Sequence, residues 1–166
     1  TLKKKILICG LGSIGTRHLT NLLNLGYKDI ILYRNTNKNL RKLNDFPIYL
    51  NLDQALEQKP NVAFICNPTS LHVETSLKCV EKNCHLFIEK PISNNNKNKE
   101  LLLKKVQEKN IKTMIGYMMR FHPALIKIKS LLETNEIGEI ISFRSIWGEY
   151  LPSWHKNENY KSSYAA

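Results

Sequence analysis

The glycine motif Gly10-Leu11-Gly12-Ser13-Ile14-Gly15 follows a short apolar run and precedes a segment with helical spacing. In that context the first glycine permits a tight turn, the second lets a pyrophosphate approach the backbone, and the third lets the helix pack closely on the strand. The free N–H groups and the dipole at the start of the helix favour an anion. The motif therefore predicts a dinucleotide site, and the alternative is a purely structural glycine turn. The predicted contacts are Gly10, Gly12, Ser13, Ile14 and Gly15.

Short apolar runs alternate with segments of helical spacing over residues 1–120. The runs predict six strands, at residues 5–9, 29–33, 48–50, 62–66, 85–88 and 112–116. Helices are predicted between them from the apolar period of about 3.6 residues, from the glycine motif to Gly26 and at residues 38–43, 53–59, 71–83 and 96–109. Strands separated by helices pair in parallel, because parallel neighbours need a crossover connection. The predicted fold class is α/β, a doubly wound and mostly parallel Rossmann sheet.

Single residues predict where several helices begin and end. Gly26 is suited to the left-handed position after the first helix, since glycine adopts positive φ without steric cost. Asp53 and Ser93 are predicted N-caps, because their side chains can accept hydrogen bonds from the free N–H groups of a first turn. Pro123 is predicted to open a helix that runs to about residue 134, and Gly138 to end it.

The pattern changes after Arg120. The helix at Pro123 is followed by residues 139–150, whose alternating apolar and polar character is typical of a strand with two different faces. The buried strands before Arg120 are apolar throughout. We therefore predict a dinucleotide-binding domain at residues 1–120 and the beginning of an α+β substrate and dimerisation domain, truncated in this chain, at residues 121–166.

The charge of the chain raises the question of a nucleic-acid partner. The 166 residues include 25 Lys and Arg against 14 Asp and Glu, for a formal net charge of +11. Twenty of the cations are lysines, scattered among Asn-rich polar stretches such as residues 94–99. A protein that reads bases more often clusters arginines or interleaves aromatic and basic residues. We expect no nucleic-acid partner, and salt-dependent binding to strands would be the sign of one.

The sequence also bears on cellular compartment. The longest apolar runs are far shorter than the roughly 18 residues of a membrane span, and the stretch after the basic residues 3–5 is broken by Gly10 and Gly12, unlike a signal peptide. The four cysteines have no CxxC spacing, which argues against zinc and disulfide frameworks and favours a reducing compartment. We expect a cytoplasmic protein without a membrane partner or a bound metal.

The end of the second strand bears on the choice of cofactor. About twenty residues past the glycines, an Asp or Glu would bind the adenosine ribose hydroxyls of NAD. This chain has Tyr33-Arg34-Asn35 there, with no carboxylate. An arginine at that place can pair with a 2′-phosphate, so the sequence favours NADP over NAD. The alternatives are that Arg34 stacks on the adenine or faces solvent.

Polar side chains follow the last three predicted strands, where ligands bind in sheets of this kind. Asn67-Pro68-Thr69 follows the fourth strand, Glu89-Lys90 the fifth and residues 117–122 the sixth. Lys90 is the candidate catalytic residue, since its ammonium can orient a substrate hydroxyl or assist its deprotonation during hydride transfer. A surface ion pair between Glu89 and Lys90 is the alternative.

Three further polar residues have two interpretations each. Arg120 and His122 could hold an anionic or hydroxylated substrate, or could cap the helix that starts at Pro123. For His72, one residue into a helix, a local cap or a core histidine is favoured over a catalytic role.

Together these motifs resemble the Gfo/Idh/MocA family of NAD(P)-dependent oxidoreductases, which act mostly on sugars, inositols and sugar derivatives. The matching strings are GLGSIGTRH (10–18), NPTSLHVE (67–74), FIEKPIS (87–93) and GYMMRFHP (116–123). Residues 148–166 are similar to a branch of that family tied to nucleotide-linked or surface-polysaccharide sugars. Within that tail Lys156, Asn159 and Lys161 stand where the branch has Pro, Asp and Arg.

The resemblance implies a role for each matched residue. Lys90 would contact both the nicotinamide ribose and the substrate, and Glu89 beside it would belong to the cofactor site. The residues implied at the cofactor are Gly10, Gly12, Gly15, Asn67, Pro68, Thr69 and His72. The residues implied at the substrate are Tyr117, Arg120 and His122, with Trp154 and His155 completing the pocket.

The family also has a second half, a substrate domain on a large open sheet that commonly mediates dimers. Its DxGxH-like segment supplies the Asp and His that share the proton transfer with the lysine, and none of the five histidines of this chain sits in such a motif. The resemblance therefore implies a sugar-like substrate, a homo-oligomer for the full-length protein, and a 166-residue chain that binds cofactor but turns over poorly or not at all. A non-catalytic dinucleotide-binding sensor or scaffold is the alternative function, and it would not require Lys90.

Overall fold

The computed structural model describes residues 4–35, 45–148 and 150. The strands are β1 (Ile6–Cys9), β2 (Ile30–Tyr33), β3 (Ile48–Tyr49), β4 (Val62–Ile65), β5 (His85–Ile88) and β6 (Thr113–Ile115). The α-helices are α1 (Ser13–Asn24), α2 (Leu52–Glu57), α3 (His72–Glu81), α4 (Lys99–Glu108) and α5 (Pro123–Glu133). Short 3-10 turns lie at Thr69–Leu71 and Met118–Phe121. The helix predicted at residues 38–43 lies outside the described residues.

The six strands form one parallel sheet in the order β3-β2-β1-β4-β5-β6. The predicted doubly wound Rossmann sheet is therefore confirmed. The order reverses between β1 and β4, so the connections leave these two neighbouring strands in opposite directions. A crevice at the carboxyl ends of such a pair is where ligands bind in open α/β sheets.

Both faces of the sheet are covered near its centre. On one face, α2, α3 and α4 pack over a core that includes Leu7, Ile65 and Ile88. On the other face, α1 packs Leu19 and Leu22 against the inner strands. All four residues of β1 are buried, which explains why its sequence is apolar throughout rather than alternating.

The structure corrects three predictions about helix ends. Asn51 caps α2, accepting hydrogen bonds from the N–H groups of residues 53 and 54 at 2.7 and 3.3 Å, while Asp53 lies inside the first turn. Ser93 accepts from the N–H of residue 95 instead of capping α4, which begins later, at Lys99. α5 ends at Glu133, and Asn135, not Gly138, takes the left-handed position that follows it. The prediction for Gly26 is confirmed by its φ of +87°.

The strand predicted at residues 139–150 is wrong for the part the structure describes. Residues 139–148 have no regular secondary structure, and Ile141 and Phe143 are 97% and 79% exposed. A strand exists only where a neighbour completes its hydrogen bonds, and no described segment pairs with this one. The alternating pattern is thus not sufficient to form a strand here.

The chain divides into two compact units between Met118 and Met119. The first contains the whole sheet, and the second contains α5. The boundary predicted at residue 120 lies close to this division, and a substrate-domain role for the second unit stays a prediction. Among the described residues, no helix has the length and apolar character needed to cross a membrane.

Candidate functional site

The glycine loop between β1 and α1 depends on the absence of side chains. Gly10 has a φ of +94°, and a Cβ on it would lie 2.6 Å from the backbone nitrogen of Asn67. A Cβ on Gly15 would overlap the carbonyl oxygen of Gly10. At Gly12, by contrast, an added Cβ meets nothing within 4 Å. Two of the glycines are therefore required by the packing of the loop, and the third keeps open space over the backbone.

The first turn of α1 faces that space without a cap. Gly12 is its N-cap residue, so no side chain there accepts from the free N–H groups, and the first turn holds no acidic residue. These N–H groups, with the positive end of the helix dipole, suit an anionic group. Ser13 and Ile14, predicted from the sequence as cofactor contacts, are the first two residues of this turn.

Asn67 joins the glycine loop at the switch point of the sheet. The preceding residue, Cys66, donates its N–H to the carbonyl oxygen of Cys9 at 2.8 Å, which brings Asn67 beside Gly10. The Asn67 side chain donates from Nδ2 to Oγ1 of Thr75 at 2.8 Å. Its Oδ1 atom is buried, and no partner for it exists among the described residues. An acceptor in that state is suited to a donor on a ligand.

A cavity of about 260 Å³ opens beside Asn67, toward the ends of β2 and β3. Its polar lining combines two carboxylates, two amides, two hydroxyls and a lysine. Lys78 pairs with Asp53 at 3.2 Å. Burial raises the pKa of the Tyr33 hydroxyl above its ordinary value. The lining residues are Tyr33, Leu50, Asn51, Leu52, Asp53, Asn67, Leu71, Glu74, Thr75 and Lys78.

Arg34 directly follows β2, at the same edge of the sheet as this cavity. Its N–H donates to the carbonyl oxygen of Tyr49 at 3.1 Å, which fixes the backbone at the end of the strand. The residue is half-buried. Its backbone is thus held next to Tyr33, which lines the cavity.

His72, the first residue of α3, is buried. Its Nε2 lies 2.8 Å from the carbonyl oxygen of Asn67, and its Nδ1 lies 2.9 Å from that of Pro91. The imidazole therefore connects the loop after β4 with the loop after β5. Pro68 and Thr69 lie between Asn67 and His72, so this connection also fixes the two remaining predicted residues of the loop.

Lys90 is exposed at the end of β5, and a cis peptide bond joins it to Pro91. Its N–H donates to Oε2 of Glu89 at 3.3 Å. Glu89 in turn makes a 2.7 Å contact with Nε2 of His18 on α1. Among the ion pairs of the described residues, the partner of Glu89 is thus His18, and its pairing with the Lys90 ammonium, the alternative interpretation of the sequence, is not found.

The sequence reasoning did not single out His18. The available signal was the helical spacing of α1, where Gly15, Leu19 and Leu22 form the buried face. His18 lies three residues after Gly15 and four before Leu22, on the edge of that face, where a polar side chain needs a partner.

The remaining predicted substrate residues lie after β6. Tyr117 is 50% exposed at the end of the first unit. Arg120 lies in the 3-10 turn and His122 caps α5, its Nδ1 accepting from the N–H of Ala124 at 3.3 Å. Both belong to the second unit. Trp154 and His155 lie outside the described residues.

A family model described as "Oxidoreductase family, NAD-binding Rossmann fold" matches residues 4–117. That match covers the whole sheet and the glycine loop. The chain belongs to the Gfo/Idh/MocA oxidoreductase family. The Gfo/Idh/MocA resemblance of the four motifs is thus confirmed, together with its Rossmann cofactor domain.

Relatives and solved structures of the Gfo/Idh/MocA family cover different shares of the chain. The myo-inositol 2-dehydrogenase of Thermotoga maritima is 29% identical over 81% of the chain and 42% of its own length. The levoglucosan dehydrogenase of Pseudarthrobacter phenanthrenivorans is 32% identical over 60% of the chain and 25% of its own length. The crystal structure of scyllo-inositol dehydrogenase from Lactobacillus casei, with bound NAD(H) and scyllo-inositol, matches with a TM-score of 0.73 and 23% identity over 82% of this chain and 42% of that one. The chain therefore spans less than half the length of each.

Proposed function

We propose that this chain is the cofactor-binding part of an NAD(P)-dependent dehydrogenase. The reaction is transfer of a hydride between nicotinamide and a hydroxyl-bearing carbon of a sugar, a sugar derivative or a sugar nucleotide. The observation that carries the proposal is the glycine loop at the β1–β4 switch point, with open space over Gly12 and an uncapped helix behind it. A loop of that form admits a pyrophosphate to the backbone.

The described residues fit a dinucleotide in three respects. The backbone at Gly12, with the adjacent turn of α1, would hold the pyrophosphate. The buried Oδ1 of Asn67 would accept a hydrogen bond from the ligand. The cavity of about 260 Å³ that Asn67 lines lies toward β2, where the adenosine half binds in sheets of this type.

Lys90 is the residue proposed to act on the substrate. When the cofactor is bound, nicotinamide supplies the hydride chemistry. Lys90 would donate a hydrogen bond to the substrate hydroxyl and assist the movement of its proton, for which an exposed ammonium at the end of β5 is suited. Asn67, Pro68, Thr69 and His72 would border the cofactor on the side of β4.

A sugar-like or cyclitol substrate is supported by the names of the relatives. Myo-inositol and levoglucosan are the substrates named in two of them, and both carry several hydroxyl groups. Tyr117, Arg120 and His122, with Trp154 and His155, are the proposed substrate contacts. A full-length protein would be a homo-oligomer in this proposal.

Arg34 supports NADP as the preferred cofactor. It occupies the place where a carboxylate would recognise the ribose hydroxyls of NAD, and a guanidinium can pair with a 2′-phosphate. Titration of the chain with NADH and NADPH, followed by the fluorescence of the reduced nicotinamide, tests this preference. Tighter binding of NADPH is expected, and equal affinity would defeat the argument from Arg34.

Three measurements test the proposed function as a whole. The chain should bind a reduced dinucleotide, and absence of binding in both titrations would overturn the proposal. Because the chain spans less than half the length of its relatives, we expect weak turnover from it or none, and robust steady-state dehydrogenase activity would contradict this part.

In a protein that includes the rest of the family's length, Lys90→Met should abolish turnover with little effect on cofactor affinity. If Lys90→Met left both cofactor affinity and biological activity unchanged, a non-catalytic dinucleotide-binding module would be favoured instead.

A further inference from the structure

The carboxylate of Glu89 is held in a defined place at the carboxyl end of β5. Its backbone N–H donates to the carbonyl oxygen of Ile65 at 3.0 Å, which extends the pairing of β5 with β4 by one residue. On the other side, Gly116 donates its N–H to the carbonyl oxygen of Ile88 at 2.8 Å. A Cβ on Gly116 would lie only 3.2 Å from Oε1 of Glu89. The backbone around Glu89 is thus fixed, and its carboxylate occupies the space left by a missing side chain.

The imidazole of His18 is held by two aromatic rings. Its centroid lies 5.4 Å from that of Phe64 and 5.0 Å from that of Phe87, and the two phenyl rings stack on each other at 5.0 Å. The side chains of His18 and Glu89 are only 17% and 14% exposed. Ring contacts of this kind restrict the imidazole to one orientation, with Nε2 at 2.7 Å from Oε1 of Glu89.

Helix α1 thereby reaches two parts of the candidate site. Its first turn carries the glycine loop, and its second turn carries His18. Through Glu89, His18 is connected to the N–H of Lys90, which donates to Oε2 at 3.3 Å. One helix is therefore in contact with both the proposed pyrophosphate site and the loop that presents Lys90.

We propose that His18 is a positioning residue for Lys90, acting through the carboxylate of Glu89. The Nε2–H group of His18 donates to Oε1, which leaves Oε2 directed at the N–H of Lys90. Without this donor, a mostly buried carboxylate would lack its short hydrogen bond and would reorient toward water, because an unsatisfied buried acceptor is costly. The action of Lys90 at the cofactor rests on the proposed function. The positioning of the Lys90 loop by His18 does not.

Two substitutions separate the donor of His18 from its packing. His18→Leu keeps an apolar group against Phe64 and Phe87 but removes the hydrogen bond. His18→Gln restores an N–H donor at a similar reach. His85→Gln is the matched control, since His85 lies on the same strand as the Glu89 loop but at its opposite end, where its Nδ1 accepts from the N–H of Lys112 at 3.2 Å. The thermal midpoint of each variant shows whether it is folded.

The first measurement uses the chain without cofactor. Hydrogen exchange of the Lys90 amide should be about three- to tenfold faster in His18→Leu, as expected for one lost hydrogen bond, and close to the wild-type rate in His18→Gln and His85→Gln. An unchanged Lys90 rate in folded His18→Leu would overturn the proposal. If that variant does not fold, failure of His18→Gln to keep the wild-type rate would overturn it equally.

The second measurement concerns the ε-amine of Lys90. Its rate of acylation by an amine-reactive ester, read by mass spectrometry, should fall severalfold when NADH or NADPH binds the wild-type chain. In His18→Leu the dinucleotide should still bind, but Lys90 should lose most of this protection. Equal protection in both would refute the positioning role. Absence of dinucleotide binding in the wild type would refute the proposed function instead, and the exchange measurement would still decide whether His18 positions the Lys90 loop.

Discussion

The Nδ1 atom of His72 lies 2.9 Å from the carbonyl oxygen of Pro91, across 19 residues of sequence. The second ring nitrogen lies 2.8 Å from the carbonyl oxygen of Asn67. Both ring nitrogens thus lie within hydrogen-bond distance of a backbone carbonyl oxygen. This buried side chain links the two loops that border the proposed cofactor site.

Replacing His72 by Leu should destabilise the first unit. The change removes at least one hydrogen bond of a buried side chain, and each such bond contributes about 0.5–1.5 kcal/mol to stability. The free energy of unfolding, measured by urea denaturation, checks this loss. Lys82→Ala, at an exposed position just beyond α3, is the control and should change that free energy by less than about 0.5 kcal/mol. Equal stabilities of the two variants would contradict the link.

Alanine substitutions at Gly12 and Gly15 should affect different properties, the dinucleotide affinity at Gly12 and the stability at Gly15. At Gly15 the added methyl group would overlap the carbonyl of Gly10, so the free energy of unfolding should fall by about 1–3 kcal/mol. At Gly12 the φ of −71° suits alanine and the space is open, so stability should be retained. There the methyl group occupies the approach to the backbone, and dinucleotide affinity should fall about tenfold, or 1.4 kcal/mol. If Gly12→Ala binds NADH and NADPH as tightly as the wild type, the pyrophosphate does not lie over Gly12.

Arg34→Ala should reduce affinity for NADPH more than for NADH. A hydrogen bond to a charged group contributes about 1.5–3 kcal/mol, which corresponds to roughly 10- to 150-fold in the dissociation constant for NADPH. NADH lacks the 2′-phosphate, so its affinity should change little. Arg17→Ala removes the same charge from an exposed position on α1 and serves as the control in the fluorescence titrations. An equal loss of affinity for NADH and NADPH would indicate a different role for Arg34, such as stacking on the adenine.

The sheet was predictable because its central strands β1 and β2 are almost entirely buried and so appear as continuous apolar runs. The glycine loop was predictable because the positions that exclude a side chain, Gly10 and Gly15, lie within six consecutive residues of the sequence. The contact of His18 with Glu89 was not, because the two residues are 71 positions apart and meet only when α1 packs on the sheet. Asn51 and Asp53 are both good N-cap residues, and only the path of the backbone after β3 decides between them. The strand predicted at residues 139–150 failed for a related reason, since a strand depends on a partner that its own sequence does not specify.

Raising the pH from about 9 toward 12 should destabilise the first unit through its buried thiols. Burial raises the pKa of Cys66 to about 12, with the Glu89 carboxylate adding to the effect, and burial followed by the neighbouring Cys79 raises that of Cys84 to about 12. A thiol with an ordinary pKa near 9 loses its proton in the unfolded chain over this range, while the folded chain retains it. Unfolding therefore releases protons, and its free energy falls by up to about 1.4 kcal/mol per pH unit for each such thiol.

Urea denaturation of the wild type and of Cys84→Ala at several pH values between 9 and 11 measures this slope. Cys84→Ala removes one of the titrating thiols, so its free energy of unfolding should decline less steeply than that of the wild type, even though its stability at pH 8 is lower because of the lost packing. Comparing slopes rather than absolute stabilities separates the proton release from the cavity left by the substitution. Identical slopes would mean that the Cys84 thiol ionises in the folded chain as readily as in the unfolded one, against the burial that the structure gives it.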